Sequence, residues 1–260
     1  MALLQVGMLR FDAELVIFDK DGTLIDFELM WGRLAEAAVE RLAAGAGGEA
    51  LESELYAALG YDRPARRTRP ESPLSIATTG QLWTIAAAVL YRHGIPWSDA
   101  GDRAQRAFED QDDLPLASLI RPTGDVLGLL SSLRAAGVHV AVVTTDHRAE
   151  TEETLAILGV GHLVETLVCG DDGVPWKPAP DAVLITCERL GAAVARTAVV
   201  GDTMADLLMA QRAGAGLRAA VLTGAGDPEQ LRVNSDVLLQ SIDEIAVVQA
   251  SGADGGPFSL

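Results

Sequence analysis

The sequence is poor in cysteine, in aromatic residues and in positive charge, and it has no long apolar run. Two cysteines in 260 residues, Cys169 and Cys187, offer neither a disulfide framework nor a Cys-x-x-Cys metal pattern. They fit reduced, buried thiols. Aromatics make up 5% of a chain that is 49% hydrophobic, so the core has to be built mainly from Ala, Leu and Val. Twenty Lys and Arg face 37 Asp and Glu, for a formal charge of −17. That balance excludes the basic surface that nucleic acid demands, and it disfavours an anionic membrane surface. A small phosphorylated substrate stays compatible, because one local cation reverses the field within a pocket. No segment approaches the roughly 18 apolar residues of a membrane-spanning helix. The stretch Met1–Arg10 is too short, and too weakly basic at its start, for a signal peptide. These absences predict a soluble, cytoplasmic protein.

What is present is organised around Glu14-Leu-Val-Ile-Phe-Asp19-Lys-Asp21-Gly-Thr23. Leu15–Phe18 read as a short, fully buried strand that runs into two carboxylates one residue apart. Buried carboxylates are costly unless a cation or a substrate uses them. In an open α/β sheet ligands bind at the carboxyl ends of the strands. Taken alone, the segment also fits an acidic turn with an ordinary Asp-Gly dipeptide.

From about residue 26 to 118 the pattern is helix after helix. Apolar residues recur at helical spacing from Phe27 to Leu42, ending near Gly45, and again over Glu49–Leu59. A Pro- and Arg-rich loop follows over 60–73. Thr78–His93 reads as a helix with Thr79 as cap and Gly94 as stop, and Ser98–Gln111 as a further, mostly polar helix. Trp83, Tyr91 and Trp97 fit core packing better than a ligand box. Beyond that block the rhythm is strictly alternating. Helices are expected over 122–136, 147–158, 180–190 and 205–213, and strands over 138–143, 163–169, 197–200 and 217–222. A short strand at 237–239 and a helix near 242–249 close the pattern, and residues 251–260 read as a frayed tail. Alternation of this kind means a parallel sheet with right-handed crossovers. The fold class is therefore α/β, with residues 1–25 and 119–260 forming one core and 26–118 inserted as a helical second domain.

Three further strand ends carry chemistry. Val143 leads into Thr144-Thr145-Asp146, Lys177 lies in a proline-flanked loop, and Val200 leads into Gly201-Asp202-x-x-x-Asp206. If these strands are parallel neighbours, the four clusters converge on one rim. So many carboxylates call for a hard divalent cation, and an oxygen-only ligand set favours Mg²⁺. A carboxylate beside Mg²⁺ and a lysine can attack phosphorus, and a second carboxylate two residues on can move the proton. Read singly, Thr144 serves equally as a helix cap, Lys177 as a solvated loop lysine and Asp206 as a first-turn helix acid.

In this order the four segments resemble the ordered motifs of the haloacid dehalogenase superfamily, from about residue 14 to 240. The helical insertion matches members with a cap domain after the first motif. The resemblance implies a Rossmann-like core with an α-helical cap. It implies Asp19 as nucleophile and metal ligand, and Asp21 as acid/base, with its backbone carbonyl also on Mg²⁺. Asp202 and Asp206 would complete the metal site. Thr144 would bond the transferring phosphoryl group, and Lys177 would neutralise charge. The dehalogenases and the phosphonate-cleaving branch lack an acid at the place of Asp21, which resembles instead the phosphatases and phosphomutases. Thr145 stands where many relatives carry asparagine, and Trp176 where many carry glycine; both reshape the pocket rim. The expected activity is that of a phosphatase for a small phosphorylated metabolite, resembling phosphoglycolate phosphatases. A phosphomutase of the β-phosphoglucomutase type is the alternative, followed by a non-catalytic binding module. Arg66 and Arg67, from the basic loop that also holds Arg63 and Arg69, are candidates for a second anionic group of the substrate; a solvated loop is the competing reading. A monomer and a small homo-oligomer are equally consistent with the sequence.

Overall fold

The computed structural model describes residues 2–44, 48–109 and 114–248. Its first elements are a hairpin that the sequence pattern did not suggest, β1 (Ala2–Val6) and β2 (Leu9–Ala13). Gly7, at a φ of 55°, supplies the left-handed turn residue between them. β3 (Leu15–Phe18) follows at once and is buried along its whole length. It is the middle of a six-stranded sheet.

Between β3 and the next strand of that sheet lies the helical insertion. A π-helical turn (Glu28–Gly32) leads into α1 (Arg33–Ala43), and α2 (Gly48–Leu59) packs against it. A two-stranded ribbon of β4 (Tyr61–Asp62) and β5 (Arg67–Thr68) occupies the stretch expected to be plain loop, and the single turn α3 (Pro73–Ile76) follows at its end. The ribbon is held because Thr68 donates through its N–H and its hydroxyl to Glu28, at 2.8 and 3.0 Å. α4 (Thr79–Arg92) is capped by Thr78 rather than Thr79, since Thr78 completes a reciprocal capping box with Gln81. α5 (Trp97–Glu109) and the single turn α6 (Leu116–Leu119) close the insertion. The expected helix stop at Gly45 and helix end at 110–111 fall outside the described residues. These helices share one hydrophobic cluster in which alanines such as Ala38, Ala86 and Ala104 are fully buried. Small side chains let the helix axes approach closely, which is how a core is filled with few aromatics. Tyr91 and Trp97 are not part of it. They make an edge-to-face pair, with centroids 6.3 Å apart, on the surface.

The chain then returns to the sheet. α7 (Val126–Ala135) begins later than expected, because Asp125 rather than the Pro122 region caps it. β6 (His139–Val143), α8 (Arg148–Ile157), β7 (Thr166–Val168) and α9 (Asp181–Leu190) follow. After them come β8 (Thr197–Gly201), α10 (Met204–Ala213), β9 (Leu217–Val221), α11 (Pro228–Asn234) and β10 (Val237–Leu239). The strand order is β10-β9-β8-β3-β6-β7, and every pairing is parallel. The helix expected near 242–249 is instead a 3₁₀ turn (Ile242–Glu244) and β11 (Ile245–Val247), which pairs antiparallel with β1. β11, β1 and β2 thus form a small second sheet. The β-branched Ile245 and Val247 favour a strand once a partner edge is available, and the partner lies some 240 residues earlier in the chain. The expected tail at 251–260 lies outside the described residues. Among the described residues no helix is long and apolar enough to cross a membrane.

Leu4, fully buried, packs the second sheet onto the cluster that holds Val16, Phe18 and Val140. Leu4→Ala should therefore cost about 2–5 kcal/mol of folding stability. Urea denaturation would measure it, and a loss under about 1 kcal/mol would show the hairpin to be an appendage.

Candidate active site

The central position of β3, with β8 on one side and β6 on the other, brings three strand ends to one rim. Asp19 follows Phe18 and is pinned by its N–H donating to Val200 O at 2.9 Å. Thr144 follows Val143, and its N–H donates to Val168 O at 2.9 Å. Asp202 follows Gly201. Lys177 arrives from the loop after β7, which has a cis Lys177–Pro178 bond. Its ammonium lies 2.6 Å from Asp19 Oδ1 and 2.6 Å from Asp206 Oδ1. Asp206 is oriented by the capping box of α10: its Oδ2 accepts from Thr203 N–H at 3.1 Å and from the Thr203 hydroxyl at 2.6 Å. Asp202 Oδ2 accepts from Ala225 N–H at 2.9 Å, while its Oδ1 is buried without a partner. Two glycines make room for this carboxylate. A Cβ on Gly224 would stand 1.9 Å from Asp202 Oδ2, and one on Gly22, at a φ of 83°, 2.5 Å from it.

Two residues of the site were not singled out from sequence. Lys20, fully buried, places its ammonium 2.8 Å from Asp21 Oδ1 and 2.7 Å from Asp146 Oδ2. Its position between the two carboxylates was a visible signal, since successive side chains at a strand end point to opposite sides. Asp146 carried only the signal of a polar residue before a helix; that helix begins later, with His147 as its N-cap.

Above this rim lies a cavity of about 50 Å³. Its floor is formed by Asp19, Asp21, Thr145, Asp146, Lys177 and Asp202, with Thr203 and Asp206 beside them. Its roof comes from the helical insertion, through Phe27, Trp31, Leu74, Ser75, Ile76 and Ala77. Thr144 is buried under the floor and does not line the cavity; its Oγ1 accepts from Asp146 N–H at 3.2 Å. Arg66 and Arg67 are not brought to it either. Arg66 pairs at 3.2 Å with Glu36, and both arginines border a separate open depression that Arg121, Thr223 and Gly224 also line. The abundance of acidic side chains on the insertion captured a basic loop that sequence reading had offered to a substrate.

Burial pushes the Asp19 carboxyl up to about 6, against the pull of Lys177, with Asp206 adding to the rise. Burial likewise holds Asp21 and Asp202 well above the usual carboxylate range, helped by the neighbouring carboxylates. For Lys20 and Lys177 burial works against the charge, yet the paired aspartates outweigh it and both stay protonated. The excess of carboxylate charge suits a divalent cation. Oxygens of Asp19, Asp202 and Asp206 lie within 4.8 Å of one another, and the unpartnered Asp202 Oδ1 fits a hard-cation ligand.

A family model for haloacid dehalogenase-like hydrolases matches residues 13–214. A phosphoglycolate phosphatase of Cupriavidus necator is 28% identical over 233 residues, 88% of this chain and 90% of that protein. An N-acetylmuramic acid 6-phosphate phosphatase of Pseudomonas aeruginosa is 27% identical over 222 residues, 85% of this chain and 87% of its own. A solved hydrolase of the same family from Deinococcus radiodurans, with bound phosphate and sodium, superposes with a TM-score of 0.62 at 21% identity. That match covers 90% of this chain and 93% of the other.

A carboxyl raised by burial favours the folded state only while protonated, so its contribution is lost as pH climbs above the unfolded value of 3.8. Asp202→Asn should therefore stabilise the cation-free protein at pH 8, by on the order of 1 kcal/mol or about 2–4 °C. The gain should shrink toward pH 4. Melting curves in EDTA would check it, and a lower melting temperature for the variant at pH 8 would contradict it.

Proposed function

The chain belongs to the haloacid dehalogenase-like hydrolases, and from that premise we propose that it is a magnesium-dependent phosphatase acting on a small phosphorylated metabolite. The observation that carries the reading is the arrangement in one cavity of Asp19, braced by Lys177, and a second buried acid, Asp21. A phosphoryl group seated on the floor meets the Asp19 carboxylate, which attacks phosphorus in line with the leaving oxygen. The P–O bond to that oxygen breaks, and Asp21 gives it a proton. Water then attacks the phosphorus of the aspartyl-phosphate and yields its proton to Asp21, while the bond from phosphorus to the Asp19 oxygen breaks; Asp19 returns as carboxylate, Asp21 as carboxylic acid, and phosphate is released. Asp19, Asp202 and Asp206, with the backbone carbonyl of Asp21, would hold Mg²⁺, which when bound offsets negative charge on the transferring group. Lys177 offsets the same charge from the other side. Thr145, on the floor, is the hydroxyl placed to bond a phosphoryl oxygen, and buried Thr144 holds the turn that presents it. The apolar roof of Phe27, Trp31, Leu74 and Ile76 keeps bulk water away and leaves room only for a compact leaving group.

A phosphate-release screen over small phosphorylated metabolites tests the reading. Release should need Mg²⁺, disappear with EDTA and fall at least about a thousandfold in Asp19→Asn. A folded protein that releases nothing, but isomerises a sugar phosphate when primed with a bisphosphate, would make it a mutase instead. For the best substrate of that screen, replacing Arg66 and Arg67 together by alanine should leave KM within about twofold, since neither lines the cavity and the exposed Arg66–Glu36 pair contributes little. A tenfold rise in KM would bring the basic loop back to the substrate.

A further inference from the structure

The chain has only two lysines, Lys20 and Lys177, against 18 arginines, and both are buried at the site, with side chains 0% and 6% exposed. Each bridges two carboxylates. A lysine ammonium is a compact point charge that fits between two such groups, whereas the broad arginine fork does not. Lys177 lines the cavity and Lys20 does not. Lys20 runs beneath the floor, its ammonium also 3.9 Å from Met30 Sδ in the π-helical turn that enters the insertion. It therefore touches neither the phosphoryl group nor the leaving group. What it touches is Asp21 Oδ1 on one side and Asp146 Oδ2 on the other. Asp146 is itself fixed. Its N–H donates to Thr144 Oγ1, and its backbone oxygen accepts from Gly170 N–H at 2.8 Å.

A buried ion pair gains little stability over apolar packing, so stability alone does not account for this one. Its geometric effect is specific. One oxygen of Asp21 is held below the floor while the side chain still lines the cavity at 12% exposure. We infer that Lys20, anchored by Asp146, is a positioning residue that fixes the Asp21 carboxyl so that its other oxygen delivers the proton to the leaving group. The inference rests on the phosphatase reading. In the step concerned Asp19 oxygen bonds to phosphorus, the bond from phosphorus to the leaving oxygen breaks, and the Asp21 proton passes to that oxygen.

The test is the dependence of kcat/KM on the leaving group, with phenyl, para-nitrophenyl and 2,4-dinitrophenyl phosphate as probes. Lys20→Met should lower kcat/KM for phenyl phosphate on the order of a hundredfold, because that leaving group needs a proton. For the dinitrophenyl ester, which leaves as a stable anion, the loss should stay below about threefold. Asp146→Asn, which keeps the Lys20–Asp21 pair but loosens its anchor, should tilt the series in the same direction by a smaller factor. The double variant Lys20→Met/Asp146→Asn removes the second unpaired carboxylate and guards against misfolding, and it should tilt the series like Lys20→Met. Equal losses on all three esters, or no loss, in the folded variants would overturn the positioning role and leave the phosphatase reading intact. A wild-type protein inert toward all three esters would remove that reading and this inference with it.

Discussion

The site depends on one arrangement of charge: the Lys177 ammonium held 2.6 Å from both Asp19 and Asp206. Asp19 and Asp206 share a space of a few ångströms with Asp202, and without a cation between them their ionised forms would bear mutual repulsion on top of desolvation. The lysine makes the cluster tolerable and also aims Asp19. Everything else at the rim serves to bring these partners into register. The β8–β3–β6 pairing sets the heights of Asp19 and Asp202, and the capping box of α10 turns Asp206 toward the lysine. Gly22 and Gly224 let the backbone close around Asp202.

Lys20 repeats the device one layer lower, between Asp21 and Asp146. The two lysines divide the acidic floor into two bridged pairs, one around Asp19 and one around Asp21. Both pairs reach across the sheet rim to a different loop, so the turn after β3 is tied to the turn after β6 and to the start of α10. Asp202 Oδ1 is left over, buried and unpartnered, and it is the oxygen that a cation would claim. A floor of this kind trades stability for chemistry, as the raised Asp19, Asp21 and Asp202 carboxyls indicate.

The roof works by different physics. The helical insertion has its own hydrophobic cluster and offers the cavity mostly apolar side chains, so it shapes and dries the space without adding charge to it. Arg63 and Arg66 of its basic loop pair with its own Glu52 and Glu36. Phe27, Trp31 and the α3 turn therefore give this side of the cavity its contour.

Much of this was legible in the chain before any coordinates. Leu15–Phe18 is an uninterrupted apolar run ending in carboxylates, and a strand buried on both faces has no other sequence signature. The same holds for the strands before Thr144 and Asp202, and the alternation of strand and helix dictated a parallel sheet, which delivers all their ends to one rim. Those signals are local, carried by side-chain period and by the cost of burying charge. What the tertiary structure alone decided depends on partners far apart in sequence. Residues 245–247 are a strand because β1 offers an edge, and Arg66 points outward because Glu36 is there. Thr145 rather than Thr144 lines the cavity because the turn after β6 buries the first hydroxyl beneath Asp146. Lys20 became part of the site only when Asp146, 126 residues later, came to lie beside Asp21. Sequence determines which groups are too costly to bury unpaired; only the fold determines which neighbour pairs with each.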